Sequence, residues 1–399
     1  MQNRHSRLRH CVTVQLLDFS VATSSARRVA AVAVAALLLA SCGGDTARAS
    51  SSDDAMIANV RAFVADLVAA DKFSGVVLVA RHGHPLLRSG YGFADRATRR
   101  PNTPDTPFML SSVGKMFTTA AVAKLIDRKQ LSFDTRLGAI VPDYPSAEAR
   151  ERVTVGDLLT MSSGIPDLFR VPAFWAETST IKAATDFWKY FAFSPLEFAP
   201  GSKWEYSNSN FLLLGLMVER ITGHRFTDVV EQEVFQPLGL THTRYRFDAG
   251  PKPAMGYTHK APNPNVPAVS GWYPAWEEPK PGSDFLAATP MGGGYSTADD
   301  LARFMDAFAN GRVVPRSLAA KMLTGYIEAD YGGRDGYGFE TRTLNGVRIV
   351  GHRGALAGSS NEVEFYPDLG YAVVVLGNSD GGAQEIAARV RELVTRPLR

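Results

Sequence analysis

The sequence predicts an α+β fold, in which both ends of the chain form one antiparallel β-sheet and a mainly helical region is inserted between them. Two β-rich runs surround a His-Gly turn in "SGVVLVARHGHPLLRSGYG", which is typical of a hairpin. Helical patterns dominate from about 110 to 285. The end of the chain returns to β-rich runs in "VRIVGHRG", "NEVEFYPD" and "YAVVVLGN".

The composition is that of an ordinary globular protein. The chain has 399 residues, 45% of them hydrophobic and 21% charged, enough to bury a large core. The formal net charge of +3 comes from the first 41 residues, which hold five arginines and one acid. Without them 38 basic and 39 acidic side chains remain. We therefore expect no nucleic-acid partner.

The start of the chain has the pattern of a secretion signal. Arg27 and Arg28 precede "VAAVAVAALLLA", which is too short to span a bilayer but fits the apolar part of an export signal. The following "LASC" resembles a bacterial lipobox, whose cysteine is lipidated. We therefore expect 1–41 to be a lipoprotein-type export signal and Cys42 to anchor the protein, periplasm-facing, in the cell envelope. The alternative is a plain signal peptide with an unmodified cysteine.

Two further domain boundaries follow from the pattern along the chain. Cys11 and Cys42 are the only cysteines, so no disulfide framework remains once the leader is removed. Small polar residues predict a flexible tether over 42–55. The expected domain covers 56–396, with its sheet part in 56–109 and 286–396 and its helical part in 110–285.

Several elements of that domain have clear local signals. The segment "AMIANVRAFVADLVAADKF" has the apolar spacing of an amphipathic helix. Ser296 or Thr297 is expected to begin another helix, whose first turn carries Asp299 and Asp300. A closing helix is expected from about 383. The long loop "APNPNVPAVSGWYPAWEEPKPG" is rich in tryptophan and proline, and whether its aromatic residues contact a substrate stays open at this stage.

The stretch "MLSSVGKMFTTAAVAKLI" (109–126) reads as a helix that is apolar nearly all round, yet it contains a lysine. Lys115 follows Ser112 by three residues, which places the two side chains one turn apart. A desolvated lysine has a lowered pKa and can take a proton from a serine. The alternative is structural: Lys115 reaches water along the surface and Ser112 caps the helix. Ser111, which has no lysine three residues on, is expected to be a helix cap.

Three further segments favour the chemical interpretation. Tyr206 and Asn208, in "EYSNSNF", lie just before a strongly apolar helix and offer a phenol and an amide. His352 and Gly354, in "GHRG", lie at the end of a β-rich run. The glycines of "MGGGYST" allow a backbone to pack closely against a neighbour.

Together these motifs resemble the penicillin-recognising serine hydrolases, within which class C β-lactamases and the related DD-peptidases and esterases are the most similar. The resemblance covers about 57–396 and includes the connecting segments "TVGDLLTMSSGIPD", "QPLGLTHT" and "YPDLGYAVVVLGN". It implies a β-lactamase/transpeptidase-like fold and hydrolysis of an amide or ester through an acyl-enzyme. The expected partner is a small-molecule or peptide substrate, and no cofactor or metal is implied.

The resemblance also implies a role for each matching residue. Ser112 would be the nucleophile, Lys115 its partner in proton transfer, and Tyr206 the second acid/base group. Asn208 would hold an amide of the substrate. The backbone N–H of Ser112 would form half of the oxyanion hole.

The C-terminal motif supplies the remaining groups. His352 and Gly354 would contact the substrate, and the backbone N–H of Ala355 would complete the oxyanion hole. His352 stands where β-lactamases of class C usually carry lysine, which is similar to the peptidase and esterase branches. Arg353 replaces a threonine or serine that commonly helps bind a carboxylate, and the sequence does not decide which way it points. A true β-lactamase and a non-catalytic sensor that stays acylated are the alternatives.

Overall fold

The central element of the fold is an antiparallel β-sheet built from both ends of the described chain. The computed structural model describes residues 52–177, 181, 183–246, 250–260, 268–269, 271–275 and 288–396. Within these residues the main sheet has eight strands in the order β11-β12-β13-β14-β15-β16-β1-β2. Its strands are Gly75–Arg81 (β1), His84–Tyr91 (β2), Ile327–Glu328 (β11), Arg334–Asp335 (β12), Glu340–Leu344 (β13), Val347–Leu356 (β14), Ser359–Tyr366 (β15) and Tyr371–Gly377 (β16).

Short strands outside the main sheet form small antiparallel ladders. They are Phe93–Asp95 (β3) with Arg100–Pro101 (β4), Phe108–Met109 (β5) with Tyr295–Ser296 (β10), Tyr257–Thr258 (β6) with Tyr273–Pro274 (β7), and Ala288–Thr289 (β8) with Gly292–Gly293 (β9). The β5–β10 ladder joins the segment before Ser112 to the glycine-rich segment.

Helices cover both faces of the sheet and form the inserted region. The described α-helices are 52–69 (α1), Lys115–Asp127 (α2), Leu137–Ile140 (α3), Ala147–Arg152 (α4), Val155–Leu159 (α5), Pro172–Glu177 (α6), Trp188–Phe191 (α7), Asn208–Thr222 (α8), Phe226–Val230 (α9), Gln236–Leu238 (α10), Ala298–Ala309 (α11), Arg316–Met322 (α12) and Ala383–Val394 (α13). In the part of the chain that the structure describes, no helix combines the length and the apolar character needed to cross a membrane.

Strand alternation divides the buried side chains between two cores. Val77 and Val79 of β1 pack with α1 and α13 on one face of the sheet. Val76 and Leu78 of the same strand pack with α2, α8 and α11 on the other face. Because successive side chains of a strand point to opposite faces, a strand buried on both sides reads as a continuous apolar run. The second face carries the inserted helices and the candidate site.

The predicted α+β architecture is therefore confirmed, and so are several local predictions. The first hairpin turns at His82 and Gly83, both with positive φ (48° and 79°), as a tight two-residue turn requires. Thr297, rather than Ser296, caps α11, accepting a hydrogen bond from Asp300 N at 3.4 Å. The closing helix begins at Ala383.

Two sequence-based boundaries differ from the structure. Residues 52–69 are helical, so α1 includes part of the segment expected to be a tether, 42–55. Asp53 and Asp54 lie at its N-terminal end, where acidic side chains favour a helix. Within the described residues of the predicted mainly helical part, 110–285, the last helix ends at Leu238, and the described residues from 239 to 275 form loops and short strands. Proline and glycine in that segment disfavour helix.

The core at the second face gives a stability prediction. Phe117 of α2 is fully buried, with its ring edge-to-face against Phe235 at 4.8 Å and Phe304 at 5.1 Å between centroids. We expect Phe117→Ala to lower the free energy of unfolding by about 3–5 kcal/mol, because it removes apolar contacts and leaves a cavity.

The measurement is urea denaturation, with Phe193→Ala as the matched control. The Phe193 side chain is 76% exposed, so the control should change stability by less than about 0.5 kcal/mol. Equal effects of the two substitutions would contradict the position of Phe117 in the core.

Candidate active site

Ser112 and Lys115 lie where the chain passes from β5 into α2. Ser112 belongs to a short 3₁₀-helix, Ser111–Gly114, and Lys115 is the first residue of α2. Lys115 is fully buried, whereas Lys124 on the same helix is half-buried. The expectation that one lysine is desolvated and the other reaches water is confirmed.

Side chains of β15 hold the backbone that leads into Ser112. Asn361 Nδ2 donates to the carbonyl oxygens of Met109 at 2.9 Å and Leu110 at 3.1 Å. Ser111 Oγ donates to Ser359 Oγ at 2.9 Å, and Ser111 adopts a positive φ of 49°. The prediction that Ser111 caps a helix is wrong, because its left-handed backbone directs the hydroxyl to the neighbouring strand instead.

Glycines permit the backbone of three segments to meet at Ser112. A Cβ on Gly354 would lie 2.4 Å from Leu110 O and 3.1 Å from Ser112 N, so β14 packs directly against the serine's backbone. A Cβ on Gly292 would lie 2.6 Å from Ser111 O. The close packing expected of the "MGGGYST" glycines is confirmed. Ala355 follows Gly354 in β14 and pairs with Ser360.

The Lys115 ammonium nitrogen has three polar neighbours. Nζ lies 3.1 Å from Ser112 Oγ and 2.7 Å from Asn208 Oδ1, and it also donates to the carbonyl oxygen of Met291. Two of these neighbours are carbonyl oxygens, which can only accept. A neutral amine has two N–H groups and one lone pair, so it satisfies both carbonyls and still accepts the Ser112 O–H. The geometry thus suits a lysine that acts as a base.

Burial also favours the neutral form of this lysine. Desolvation lowers the pKa of Lys115 from 10.5 to about 7, although the negative charges of Asp167 and Glu340 act in the opposite direction. A lysine with a pKa near 7 exists partly as the free base at neutral pH. That is the form that can accept the hydroxyl proton of Ser112.

Tyr206 completes the contacts to the serine oxygen. Its OH donates to Ser112 Oγ at 2.8 Å, and its ring centroid lies 5.0 Å from Lys115 Nζ. Burial raises the pKa of Tyr206 above its ordinary value, so the phenol stays protonated at neutral pH. A protonated phenol beside a nucleophile can donate its proton to a leaving group.

His352 is buried beside this group as a neutral imidazole. Its Nδ1–H donates to Arg353 O at 2.6 Å, because a carbonyl oxygen can only accept, and the lone pair is then on Nε2. Burial, and next the charge of Lys115, lower the pKa of His352 to about 3. A neutral histidine presents no positive charge to a substrate.

The direction of Arg353, left open by the sequence, is decided by its partners. Arg353 Nε lies 3.4 Å from Glu340 Oε1, and the guanidinium stacks over the Tyr331 ring at 4.8 Å. Glu340 and Tyr331 line a small cavity together with Tyr206 and His352, so the guanidinium lies against residues of that cavity. Its charge is therefore engaged by a protein carboxylate.

The structure adds residues that sequence reasoning missed. Asp167 contacts Asn208 by side chain and backbone, and Met291 supplies a carbonyl to Lys115. Both lie in quoted segments, "TVGDLLTMSSGIPD" and "MGGGYST", but backbone and carboxylate contacts between distant segments leave no local pattern. Among the described residues, no group of three or more His, Cys, Asp or Glu side chains could hold a metal ion.

The described aromatic residues of the long loop make contacts with residues outside the Ser112 group. Trp272 Nε1 donates to Asp71 Oδ2 at 2.6 Å, and its ring centroid is 3.6 Å from that of His259. Tyr273 pairs with Thr258 in a short ladder. Trp276 is outside the described residues.

A serine in contact with a desolvated lysine and a tyrosine, in a helical region inserted into an antiparallel sheet, defines a class of serine hydrolases. Comparison with known families points to the same class of enzymes. The family model described as Beta-lactamase matches residues 60–395, so the chain belongs to the Beta-lactamase family.

Individual relatives include enzymes with different names. The chain is 30% identical to esterase EstB from Burkholderia gladioli over 80% of this chain and 90% of EstB. It is 28% identical to a D-aminopeptidase from Brucella anthropi over 80% of this chain and 58% of that protein. Several curated relatives are matched over only about three fifths of their length. A penicillin binding protein structure from Bacillus halodurans aligns with TM-score 0.69 and 30% identity, covering 82% of this chain and 98% of that chain.

The desolvation of Lys115 has a measurable effect on stability. Burial lowers its pKa from the ordinary 10.5 to about 7 in the folded protein. Between these pH values the unfolded chain therefore binds a proton that the folded chain lacks. This contribution makes the free energy of unfolding rise with pH. We expect the stability of Lys115→Met, relative to the unsubstituted protein, to fall steadily from pH 7 to pH 10.

Urea denaturation at several pH values in that window measures the difference. Lys124→Met, which removes the half-buried lysine of the same helix, is the control and should show a smaller change with pH. A Lys115→Met difference that stays constant across the window would mean that Lys115 is not desolvated.

Proposed function

We propose that this protein hydrolyses ester or amide bonds through an acyl-enzyme on Ser112. The observation that supports the proposal most directly is the pair of contacts on Ser112 Oγ, 3.1 Å from Lys115 Nζ and 2.8 Å from Tyr206 OH. One neighbour can take the hydroxyl proton and the other can donate a proton to the leaving group. A serine hydroxyl needs such an adjacent base to become a nucleophile.

Acylation begins with the free-base form of Lys115. Ser112 Oγ forms a bond to the substrate carbonyl carbon while its proton passes to Lys115 Nζ. The bond to the leaving group then breaks, and Tyr206 donates its proton to the departing oxygen or nitrogen. Lys115 returns a proton to Tyr206, so the step converts the serine and substrate into an ester and a protonated leaving group.

The carbonyl oxygen becomes negatively charged as Ser112 attacks. We assign the oxyanion hole to the backbone N–H groups of Ser112 and Ala355, and the close approach of Gly354 to the Ser112 backbone supports this. A water molecule then attacks the acyl-enzyme carbonyl. The water proton passes to the free-base Lys115 Nζ as the new C–O bond forms. The bond between the carbonyl carbon and Ser112 Oγ then breaks, and Lys115 returns the proton to Oγ, which regenerates Ser112 and releases the acid.

The neutral state of His352 bears on the choice of substrate. With Nδ1 donating to Arg353 O and a pKa of about 3, His352 offers no cation to a substrate carboxylate. The printed names of two relatives, an esterase and a D-aminopeptidase, belong to enzymes of ester and D-amino-acid substrates. We therefore favour esters and amides with small or D-configured acyl groups as substrates, with His352 and Gly354 lining the binding site.

The test combines kinetics with intact-mass spectrometry. The protein is mixed with p-nitrophenyl acetate, D-alanine p-nitroanilide and benzylpenicillin in separate reactions. We expect turnover of the ester or the anilide and an acyl adduct that maps to Ser112. Ser112→Ala should lower the rate at least about a thousand-fold.

The matched control is Ser202→Ala, which changes an exposed serine and should leave the rate unchanged. Absence of turnover and adduct with all three compounds would contradict the proposal. Rapid turnover of benzylpenicillin alone would favour a β-lactamase, and a penicillin adduct that persists without turnover would favour a sensor.

We also propose that the protein is exported and held in the cell envelope through a lipid on Cys42, with 1–41 as its signal and 42–55 containing the tether. The support is the sequence pattern of Arg27 and Arg28, the apolar run and "LASC". Cys42 is outside the described residues. In cells that make the full chain, we expect the mature N-terminal peptide to begin at a lipid-modified Cys42 and Cys42→Ala to lack the modification. A mature N-terminus with unmodified Cys42 would contradict the lipid anchor.

A further inference from the structure

Asp167 lies directly behind Asn208, on the side away from Lys115. It is buried, and its segment leads into the short 3₁₀-helix Leu168–Arg170. Asp167 Oδ1 accepts hydrogen bonds from Asn208 N at 3.0 Å and from Phe169 N at 3.3 Å. Asn208 Nδ2 lies 3.3 Å from both carboxylate oxygens. The carboxylate therefore contacts both the backbone and the side chain of Asn208.

These contacts fix the orientation of the Asn208 amide. A carboxylate can only accept, so the amino group of Asn208 must face Asp167. The carbonyl oxygen must then face the other way, where Lys115 Nζ lies 2.7 Å from Oδ1. If the amide were reversed, an oxygen would face a carboxylate and an N–H group would face the lysine. Asp167 thus selects the orientation in which Asn208 accepts a hydrogen bond from Lys115.

Charge provides a second connection between Asp167 and Lys115. The titratable groups that face Lys115 are Asp167, Glu340, Tyr206 and His352. Of these, the two carboxylates favour the protonated amine. Burial raises the pKa of Asp167, and its hydrogen bonds from Phe169 and Asn208 and the charge of Lys115 act against that rise. The interaction between the carboxylate and the amine is therefore mutual.

We propose that Asp167 is a positioning residue of the active site, which holds the Asn208 amide against Lys115 and sets the protonation of that lysine. In this arrangement Asn208 accepts a hydrogen bond from Lys115, in addition to any contact with substrate. The inference rests on the proposed function for its catalytic consequence, but its effect on Lys115 is independent of turnover.

The first experiment measures the protonation of Lys115 directly. The protein is labelled with [¹³Cε]lysine, the Lys115 resonance is assigned with Lys115→Arg, and its pKa is followed by NMR titration. Asp167→Asn keeps the size of the side chain and an acceptor oxygen but removes the charge. We expect the pKa of Lys115 to fall in this variant, because a negative charge that stabilised the ammonium form is lost.

The matched control is Asp300→Asn. Asp300 is also buried and also accepts a backbone N–H from another segment, that of His242 at 2.8 Å, but it has no hydrogen bond to a site residue among the described contacts. Its substitution should leave the Lys115 titration unchanged. An unchanged titration in Asp167→Asn as well would overturn the electrostatic part of the inference.

The second experiment tests whether Asp167 acts through Asn208. With p-nitrophenyl acetate, Asp167→Asn should lower kcat by about ten-fold or more, with little change in KM, because a misplaced base affects the reaction step. The acid limb of the pH profile should move to lower pH together with the Lys115 titration. In a double-mutant cycle with Asn208→Ala, Asp167→Asn should have a smaller effect on kcat than in the unsubstituted protein.

Two results would overturn this part: additive effects of the two substitutions, or an increase in KM with kcat unchanged. If Asp167→Asn does not fold, Asn208→Ala is the remaining test of the contact between Asn208 and Lys115. It should also shift the Lys115 titration and lower kcat. Failure of the proposed function would look different. In that case the ester would not be turned over by any variant, while the Lys115 resonance would still respond to Asp167→Asn.

Discussion

The burial of the Lys115 amine is the constraint on which the rest of the site depends. A charged ammonium group without water is costly, so the protein must neutralise it, hydrogen-bond it or do both. Here two carbonyl oxygens accept its N–H groups and desolvation lowers its pKa to about 7. These conditions leave the lone pair for Ser112. The proposed role of Lys115 as a base thus depends on how the lysine is enclosed.

Enclosing Lys115 requires segments that are far apart in the chain. Asn208 comes from the start of α8, and Met291 from the segment before β9. Gly354 on the central part of the sheet brings β14 within contact of the Ser112 backbone. At Gly354 and Gly292 the backbones pack closer than a side chain would allow. The sheet and the inserted helices are therefore needed together, because neither alone forms the enclosure.

The charge at the edge of the site differs from that of a protein with lysine in place of His352. The imidazole is neutral, and the nearest guanidinium, that of Arg353, is paired with Glu340. The buried carboxylates of Asp167 and Glu340 act on the Lys115 amine and favour its protonated form. In the described part of the site, the charged side chains therefore interact with other protein groups and hold them in position. A substrate that needs a strong cation to bind its carboxylate fits this arrangement poorly.

The sequence by itself determined the fold class and the main strands, and with the family resemblance it predicted the set Ser112, Lys115 and Tyr206, whose side chains meet in the structure. It could do so because apolar periodicity and turn residues act locally, and because the Ser-x-x-Lys spacing places two side chains one helical turn apart. It did not reveal the roles of Asp167, Met291, Asn361 and Glu340, nor the direction of Arg353. Those depend on contacts between segments separated by many residues, which leave no periodic signal. Only the tertiary structure decided them, since burial and hydrogen-bond partners are set when the sheet and the inserted helices pack together.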